Sequence, residues 1–215
     1  RKLGSLVRQG DEASVACTSP FAAIDSDGIE IDHRELNHVC IEEAPRPVEM
    51  AGLVERLGTD GRIRHVKDQQ FFAWRFENPL SDYRFLFWED DRLEGYLVLR
   101  TRSPAGSSGR VTIVDWEATS MGIWAKLVRA AIQQVSCETL MIWSATLADE
   151  ARSLLQENGF QLTKQEEDKA AADFRPTLFV RPISPDEPDS EWMFACHSLL
   201  DMSSWDLRPI YSDSF

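Results

Sequence analysis

The sequence has few of the features that mark secreted or membrane proteins. It contains only four cysteines in 215 residues, with no C-x-x-C pair, so we do not expect the disulfide framework of a small secreted domain. No apolar run approaches the roughly 18 residues of a membrane-spanning helix, and no charged n-region followed by an apolar h-region opens the chain. We therefore expect a cytoplasmic protein with reduced thiols and no membrane partner.

Positive charge is also scarce. The chain has 23 Lys and Arg against 36 Asp and Glu, which gives a formal net charge of −13. A surface with this excess of negative charge repels nucleic acid, so nucleic acid is not expected as a partner. A local basic patch or a helix N-terminus can still bind a polyanion such as coenzyme A.

Hydrophobic residues make up 43% of the chain, enough to bury the core of one ordinary domain. Residues 1–46 look like a linker or lead-in, with candidate strands at 28–31 and 39–41, and the domain is expected at 47–182. Residues 183–215 form an aromatic tail, which we expect to dock on a neighbouring domain or subunit. The chain opens on Arg rather than Met, which raises the expectation of an upstream part.

Two helices are predicted first. Apolar residues at helical spacing cover 47–57, where Pro47 suits a first turn and Gly58 suits a C-cap. Asp68 suits the N-cap of a second, aromatic helix that ends before Pro79.

The pattern then changes to strands, and afterwards strands and helices alternate. Strands are predicted at 83–88, 93–100, 111–116, 140–143, 160–162 and 177–180, with a hairpin turn at 89–92 and helices at 122–134 and around 147–157. We therefore predict an α+β fold in which helices flank a mixed, mostly antiparallel central sheet.

This order of elements, over about 40–182, resembles the fold of the GNAT superfamily of N-acetyltransferases. Residues 154–160 read LLQENGF, which resembles the LYEKxGF ending of that superfamily's last helix, and Ala151 stands at its usual alanine. Residues 71–100 are similar to the second half of tandem acyltransferase-like proteins. The resemblance implies acyl-CoA-dependent N-acyltransfer, with acetyl-CoA or another acyl-CoA as co-substrate and an upstream GNAT-like domain.

The superfamily holds the pyrophosphate of acetyl-CoA with a loop of the form R/Q-x-x-G-x-G/A before a helix. The matching residues 119–124 keep only Gly122, with Thr119 at the basic or amide position and Trp124 in place of Gly or Ala. An indole there is expected to obstruct the backbone and to pack in the core, whereas Ser120 is expected to cap the helix and Arg129 to add positive charge beside it. By resemblance, the candidate cofactor-binding residues are Trp116, Ser120, Met121, Gly122, Ile123 and Lys126.

The catalytic residues of the superfamily are only partly matched. Leu155 stands where a tyrosine often serves as general acid, and Ala148 replaces an asparagine, so neither can transfer a proton. Asp115 and Glu117 stand where relatives carry a basic carboxylate, and alternation along a strand puts both on one sheet face. The alternative is that both are solvated residues at a strand end.

Other chemistry is not favoured. His33, His38 and Cys40 are metal-ligand types, but the five-residue spacing of the two histidines does not place them on one helix face. We therefore expect no metal. His65 and His197 have no G-x-S-x-G motif to accompany them, which argues against a serine hydrolase.

Three functions remain open on the sequence alone. The first is an N-acyltransferase acting on a small-molecule amine, and the second is a catalytically silent GNAT-like domain that acts in ligand binding or in contact with another domain or subunit. The third is a binding protein unrelated to acyl chemistry. The altered loop and Leu155 favour the second slightly over the first. The candidate partners are an amine substrate, a second copy of the chain and an upstream GNAT-like domain.

Overall fold

The computed structural model describes residues 5–9, 38–79, 81–102, 110–134, 139–143, 146–162, 193–194, 196–199 and 201–211. Two short 3-10 turns, Met202–Ser204 and Pro209–Tyr211, lie near its end. The helices and strands, in chain order, are β1 (Ser5–Gln9), β2 (Val39–Glu42), α1 (Pro47–Leu57), α2 (Gln69–Arg75), β3 (Ser81–Glu89), β4 (Leu93–Arg102), β5 (Arg110–Ala118), α3 (Met121–Gln134), β6 (Thr139–Trp143), α4 (Asp149–Glu157), β7 (Gln161–Leu162), β8 (Met193–Phe194) and β9 (His197–Ser198).

Seven strands form one sheet in the order β2-β3-β4-β5-β6-β1-β7. Neighbouring strands from β2 to β5 are antiparallel, β5 and β6 are parallel, and β1 is antiparallel to both β6 and β7. The predicted α+β fold with a mixed, mostly antiparallel sheet is confirmed. None of the helices in the described ranges is both long enough and apolar enough to cross a membrane.

The first two helices begin as predicted and α1 also ends as predicted, whereas α2 ends at Arg75, before the stop predicted at Asn78-Pro79. Pro47 opens α1, where a missing N–H costs nothing, and Gly58 follows its last residue with a φ of 70°, which favours glycine. Asp68 caps α2 by accepting a hydrogen bond of 2.7 Å from the backbone N–H of Phe71. Local signals therefore fix both helices.

The sheet separates two apolar cores, because successive side chains of a strand point to opposite faces. In β4, Tyr96 and Val98 join the core under α1 and α2, whereas Leu97 and Leu99 join the core under α3 and α4. Gly95 lets α3 approach the sheet closely: a Cβ there would lie 2.8 Å from Cγ2 of Ile123. We call these layers the α1/α2 face and the α3/α4 face.

Two pieces of the predicted lead-in belong to the sheet. β2 extends the sheet next to β3, close to the strand predicted at 39–41, and β1 lies between β6 and β7. The sequence indicated no strand at 5–9, because its partner Thr139–Trp143 lies some 130 residues further along the chain. The strands predicted at 28–31 and 177–180 lie outside the described residues.

Candidate functional site

The strands β5 and β6 diverge about halfway along β5. Among the described residues they pair over 110–113 and 139–142, and β5 continues to Ala118. Opposite this point the register of β4 and β5 shifts, because Val98 pairs with Asp115 and Leu99 with Ile113. Val114 is thus the extra residue of a β-bulge. We call the space beside residues 114–118, where no described residue of β6 pairs with β5, the β5/β6 gap.

The bulge also decides which face carries the two candidate carboxylates. Strict alternation from Ile113, which lies on the α3/α4 face, would place Asp115 and Glu117 on that same face. Instead Asp115 accepts a hydrogen bond of 2.9 Å from the hydroxyl of Tyr96, on the α1/α2 face. The prediction that both carboxylates share a face is confirmed, since Lys67 binds both.

Residues 201–211, which we call the C-terminal segment, lie against this gap. On one side, the hydroxyl of Thr146, just after β6, accepts from the backbone N–H of Leu207 at 3.2 Å and donates to its carbonyl at 3.0 Å. On the other side, the guanidinium of Arg208 donates to the carbonyl of Trp116 in β5. The segment therefore bridges the two strands where they diverge.

Further contacts attach the segment to the loop before α2 and to α2 itself. Ile63 donates its N–H to the carbonyl of Ser204 at 2.8 Å and accepts at 2.9 Å from the N–H of Asp206. Arg75 of α2 donates to the carbonyl of Ile210 at 2.5 Å, and the Ile210 side chain is buried in the core. This part of the predicted docking tail thus packs on its own domain.

Arg208 is the charged anchor of the segment. Its Nη1 lies 3.1 Å from Oδ1 of Asp115 and 3.1 Å from Oε1 of Glu117, and its guanidinium stacks on the ring of Trp116 at 4.5 Å. Asp206 completes the set, with its carboxylate 2.8 Å from Nη2. The Arg208 side chain is only 6% exposed, and the three carboxylates that it contacts are buried as well.

Lys67 supplies the second buried positive charge. Its Nζ lies 2.5 Å from Oδ1 of Asp115 and 3.0 Å from Oε1 of Glu117. Asp115 itself is fully buried and receives donors from Lys67, Arg208 and Tyr96. We call this group the buried ionic cluster; its members are Lys67, Asp115, Glu117, Asp206 and Arg208.

Opposite charges in the cluster shift the pKa values of Glu117 and Lys67. Burial on its own would raise the pKa of Glu117, but Arg208 and Lys67 outweigh it and the pKa is lowered. Burial on its own would lower the pKa of Lys67, and Arg208 acts in the same direction, yet Asp115 and Glu117 hold it above its ordinary value. Burial, reinforced by Asp115, raises the pKa of Tyr96 well above its ordinary value.

Two arginines, Arg62 and Arg64, lie at the edge of the cluster and line a cleft. Arg64 approaches Glu117 to 3.8 Å and Arg62 approaches Asp206 to 3.9 Å, both more exposed than the cluster itself. The cleft, about 360 Å³ in volume, reaches from these arginines past Trp116 to the N-terminal end of α3. Its wall includes Asp60, Glu117, Ser120, Met121, Trp124 and Ala151.

The candidate cofactor-binding residues divide into two groups. Ser120 caps α3 as predicted, because its hydroxyl accepts from the backbone N–H of Ile123 at 3.2 Å, and Ser120 and Met121 line the cleft with Trp116. Lys126 is not among the residues of the cleft wall, because its Nζ lies over the ring of Trp88 at 4.7 Å. Gly122 is exposed, and Ile123 packs against the α3/α4 core.

Trp124 and Leu155 are core residues. Trp124 is 3% exposed and packs on the α3/α4 face, so its predicted burial is confirmed. Leu155, in place of the tyrosine, is completely buried in the same core. Ala148 precedes α4 and is exposed.

The histidines do not assemble a site in the described part of the chain. His38 stacks on Trp88 and His65 stacks on Tyr211, with ring centroids 5.3 and 4.5 Å apart. Within the ranges that the structure describes, no three His, Cys, Asp or Glu side chains come together as metal ligands. His33 lies outside those ranges.

Sequence reasoning missed the basic half of the cluster. Lys67 follows Val66, and Arg208 stands between Leu207 and Pro209, so each is a charge beside apolar residues. That context is a weak signal of a buried ion pair, since long basic side chains often reach solvent from apolar surroundings. Their partners in β5 lie 48 and 93 residues away.

No protein-family model matches the chain, and no curated protein matches its sequence significantly. The GNAT resemblance therefore rests on the order of elements and the residues quoted above, and it stays a prediction.

Proposed function

We propose that this chain is a degenerate, catalytically silent relative of the acyl-CoA-dependent N-acyltransferases, cytoplasmic and serving in ligand binding or in contact with another domain or subunit. One observation carries the proposal: both candidate bases, Asp115 and Glu117, are ion-paired with Lys67 and Arg208 in a buried cluster. In this arrangement cations of the protein itself already occupy both carboxylates.

The acid–base properties of the two carboxylates support a catalytically silent domain. A general base needs a pKa near the working pH and hydrogen-bond access to the proton that it removes. The pKa of Glu117 is lowered by Arg208 and Lys67 against the effect of burial, which weakens it as a base. Asp115 is fully buried and already accepts from three side chains.

The donor side of the candidate site supports it too. In the enzyme reading, backbone groups after Asp115 hold the thioester and pantetheine of an acyl-CoA. Here the carbonyl of Trp116 already accepts from Arg208. Leu155 in place of a tyrosine leaves no general acid at that position.

Calorimetric titration with CoA and acetyl-CoA, followed by an acetyl-transfer assay on a panel of small amines, tests the proposal. The expected result is neither binding heat nor transfer by the native chain. Transfer that Glu117→Gln abolishes, while the exposed control Glu150→Gln retains it, would contradict the silent reading.

A second candidate, an active N-acyltransferase with an acyl-CoA donor, is favoured by the cleft at the N-terminal end of α3. The cleft joins a helix N-terminus to Arg62 and Arg64, a combination that suits a phosphate group. In that case CoA binds to the native chain, and Arg64→Ala weakens the binding more at low salt than at high salt.

A further inference from the structure

The C-terminal segment takes up hydrogen-bonding groups that a ligand lying along β5 would need. A strand that has lost its neighbour presents free backbone groups, which an extended amide-bearing molecule can bind as an added strand does. In this chain the carbonyl of Trp116 accepts from Arg208 instead. The segment therefore competes with such a ligand for the same edge.

Trp124 belongs to the core on the α3/α4 face and also lines the cleft beside Trp116 and Arg208. The bonds that hold the segment are made by other residues, at the edge of β5 and at Thr146. Removing the indole would open a cavity in that core and would leave the edge of β5 occupied. Burial of Trp124 is thus not what covers this edge.

The segment is held by a few identifiable contacts. The hydroxyl of Thr146 makes both hydrogen bonds to the backbone of Leu207. Arg208 inserts the only positive charge of the segment's described residues into the cluster, between Asp115 and Glu117. Loss of either contact should weaken the attachment of the segment to β5, while the bonds to Ile63 and Arg75 remain.

We propose that the C-terminal segment is an intramolecular latch, anchored by Arg208 and Thr146, which occupies the β5/β6 gap and excludes an extended acyl-CoA ligand. The choice of ligand rests on the proposed function; the position of the latch rests on the contacts alone. When the latch is open in only a small fraction of molecules, the apparent affinity for the ligand is the intrinsic affinity multiplied by that fraction. Weakening the latch should therefore create binding that the native chain lacks.

The test uses the full-length chain and CoA as the probe. Thr146→Val removes the hydroxyl at nearly constant volume, and Arg208→Met removes the charge while keeping an apolar stem. Both variants should bind CoA at least about tenfold more tightly than the native chain, since a tenfold rise in the open fraction tightens the apparent affinity tenfold. Trp124→Gly with the latch intact should bind no better than the native chain.

A reversible lock provides the matched control. Ile63 and Trp205 face each other in a parallel β-bridge, so cysteines at both positions are close enough for a disulfide. In Thr146→Val carrying Ile63→Cys and Trp205→Cys, oxidation should abolish CoA binding and reduction should restore it. The two single-cysteine variants should show no such dependence on oxidation.

Hydrogen exchange of the amides of residues 201–211, followed in each variant, shows whether the latch has opened. Faster exchange confined to these residues, together with new CoA binding, supports the latch. Faster exchange without binding overturns it, as does binding by Trp124→Gly with slow exchange in 201–211. If neither Thr146→Val nor Arg208→Met speeds exchange there, the segment is a fixed part of the fold and the latch is overturned as well.

The proposed function is judged separately, by the native chain. Acetyl transfer by the native chain overturns the silent reading. The latch still stands in that case if the oxidised lock abolishes transfer, and it falls if the oxidised lock leaves transfer unchanged.

Discussion

The two faces of the sheet are built in different ways. The α3/α4 face is an apolar core of mainly aliphatic and tryptophan side chains, with Phe160. The α1/α2 face combines a similar core with the buried ionic cluster, whose charges come from the loop before α2, from β5 and from the C-terminal segment. A substitution in an apolar core costs stability according to the volume that it adds or removes. Removing one member of a buried ion pair instead leaves an uncompensated buried charge. Single substitutions should therefore have unequal effects on the two faces.

The largest effect is expected on the ionic side. Arg208→Ala leaves Asp115 and Glu117 buried with Lys67 as the remaining cation of the cluster, and breaking a buried pair from one side costs about 3–5 kcal/mol. Urea unfolding measures the loss. The control Arg92→Ala removes an exposed arginine paired with Glu94 and should change stability by less than about 1 kcal/mol. A loss of similar size in both variants would mean that the cluster does not stabilise the fold.

A smaller effect is expected on the apolar side, at Gly95. Its replacement by Ala places a Cβ 2.8 Å from Cγ2 of Ile123 and 3.0 Å from Cδ1 of Leu127, and overpacking of this kind costs about 1–3 kcal/mol. Gly52 is the matched control, because its Cβ would meet only the tip of Arg56 at 3.8 Å. Gly52→Ala should stabilise α1 by about 0.5–1 kcal/mol. The midpoint of thermal unfolding should therefore fall in Gly95→Ala and rise in Gly52→Ala.

Removing a single local contact, the side-chain cap of α2, should cost less stability than the substitutions in either face. Asp68→Ala removes the side-chain cap of α2 and should cost about 1 kcal/mol. Asp68→Asn keeps an acceptor oxygen, so it should cost clearly less, as measured by urea unfolding. Equal losses in the two variants would assign the effect of Asp68 to its charge and not to the cap.

The smallest expected effect is on the pH dependence of stability, to which the ionic cluster on the α1/α2 face contributes. Although burial opposes it, Arg208 lowers the pKa of Glu117 and of Asp206 in the folded chain, so the unfolded chain binds protons first as the pH falls. This stability is complete above the ordinary carboxylate pKa and is lost as the pH falls through the lowered values.

The alkaline limb has the opposite sign. The folded pKa of Lys67 is raised, since Asp115 and Glu117 outweigh burial and Arg208, and burial raises the pKa of Tyr96. The unfolded chain therefore loses these protons first, and stability declines as the pH rises above about 10, the ordinary tyrosine value. Urea midpoints measured across pH test both limbs. In Arg208→Met the acid limb should flatten, and an unchanged acid limb would contradict the role given to Arg208.

Local sequence patterns predicted the elements well. Pro47, Gly58 and Asp68 mark helix ends through their own backbone or side-chain chemistry. Runs of aromatic and branched residues marked β3 and β4, and alternation marked β5. The candidate site was harder to predict. Asp115 and Glu117 could be placed on one face, but not on a particular face, because the bulge at Val114 depends on how β4 pairs with β5.

The sequence by itself thus determined the helices, the strands of the central sheet and the shared face of the two carboxylates, because these follow from contacts a few residues apart. Only the tertiary structure decided that β1 joins the sheet beside β6, and that Lys67 and Arg208 meet Asp115. These contacts join residues from 48 to about 130 positions apart. A charge beside apolar residues looks the same in the sequence whether it reaches solvent or a buried partner. Only the folded structure distinguishes a charge that reaches solvent from one that reaches a buried partner.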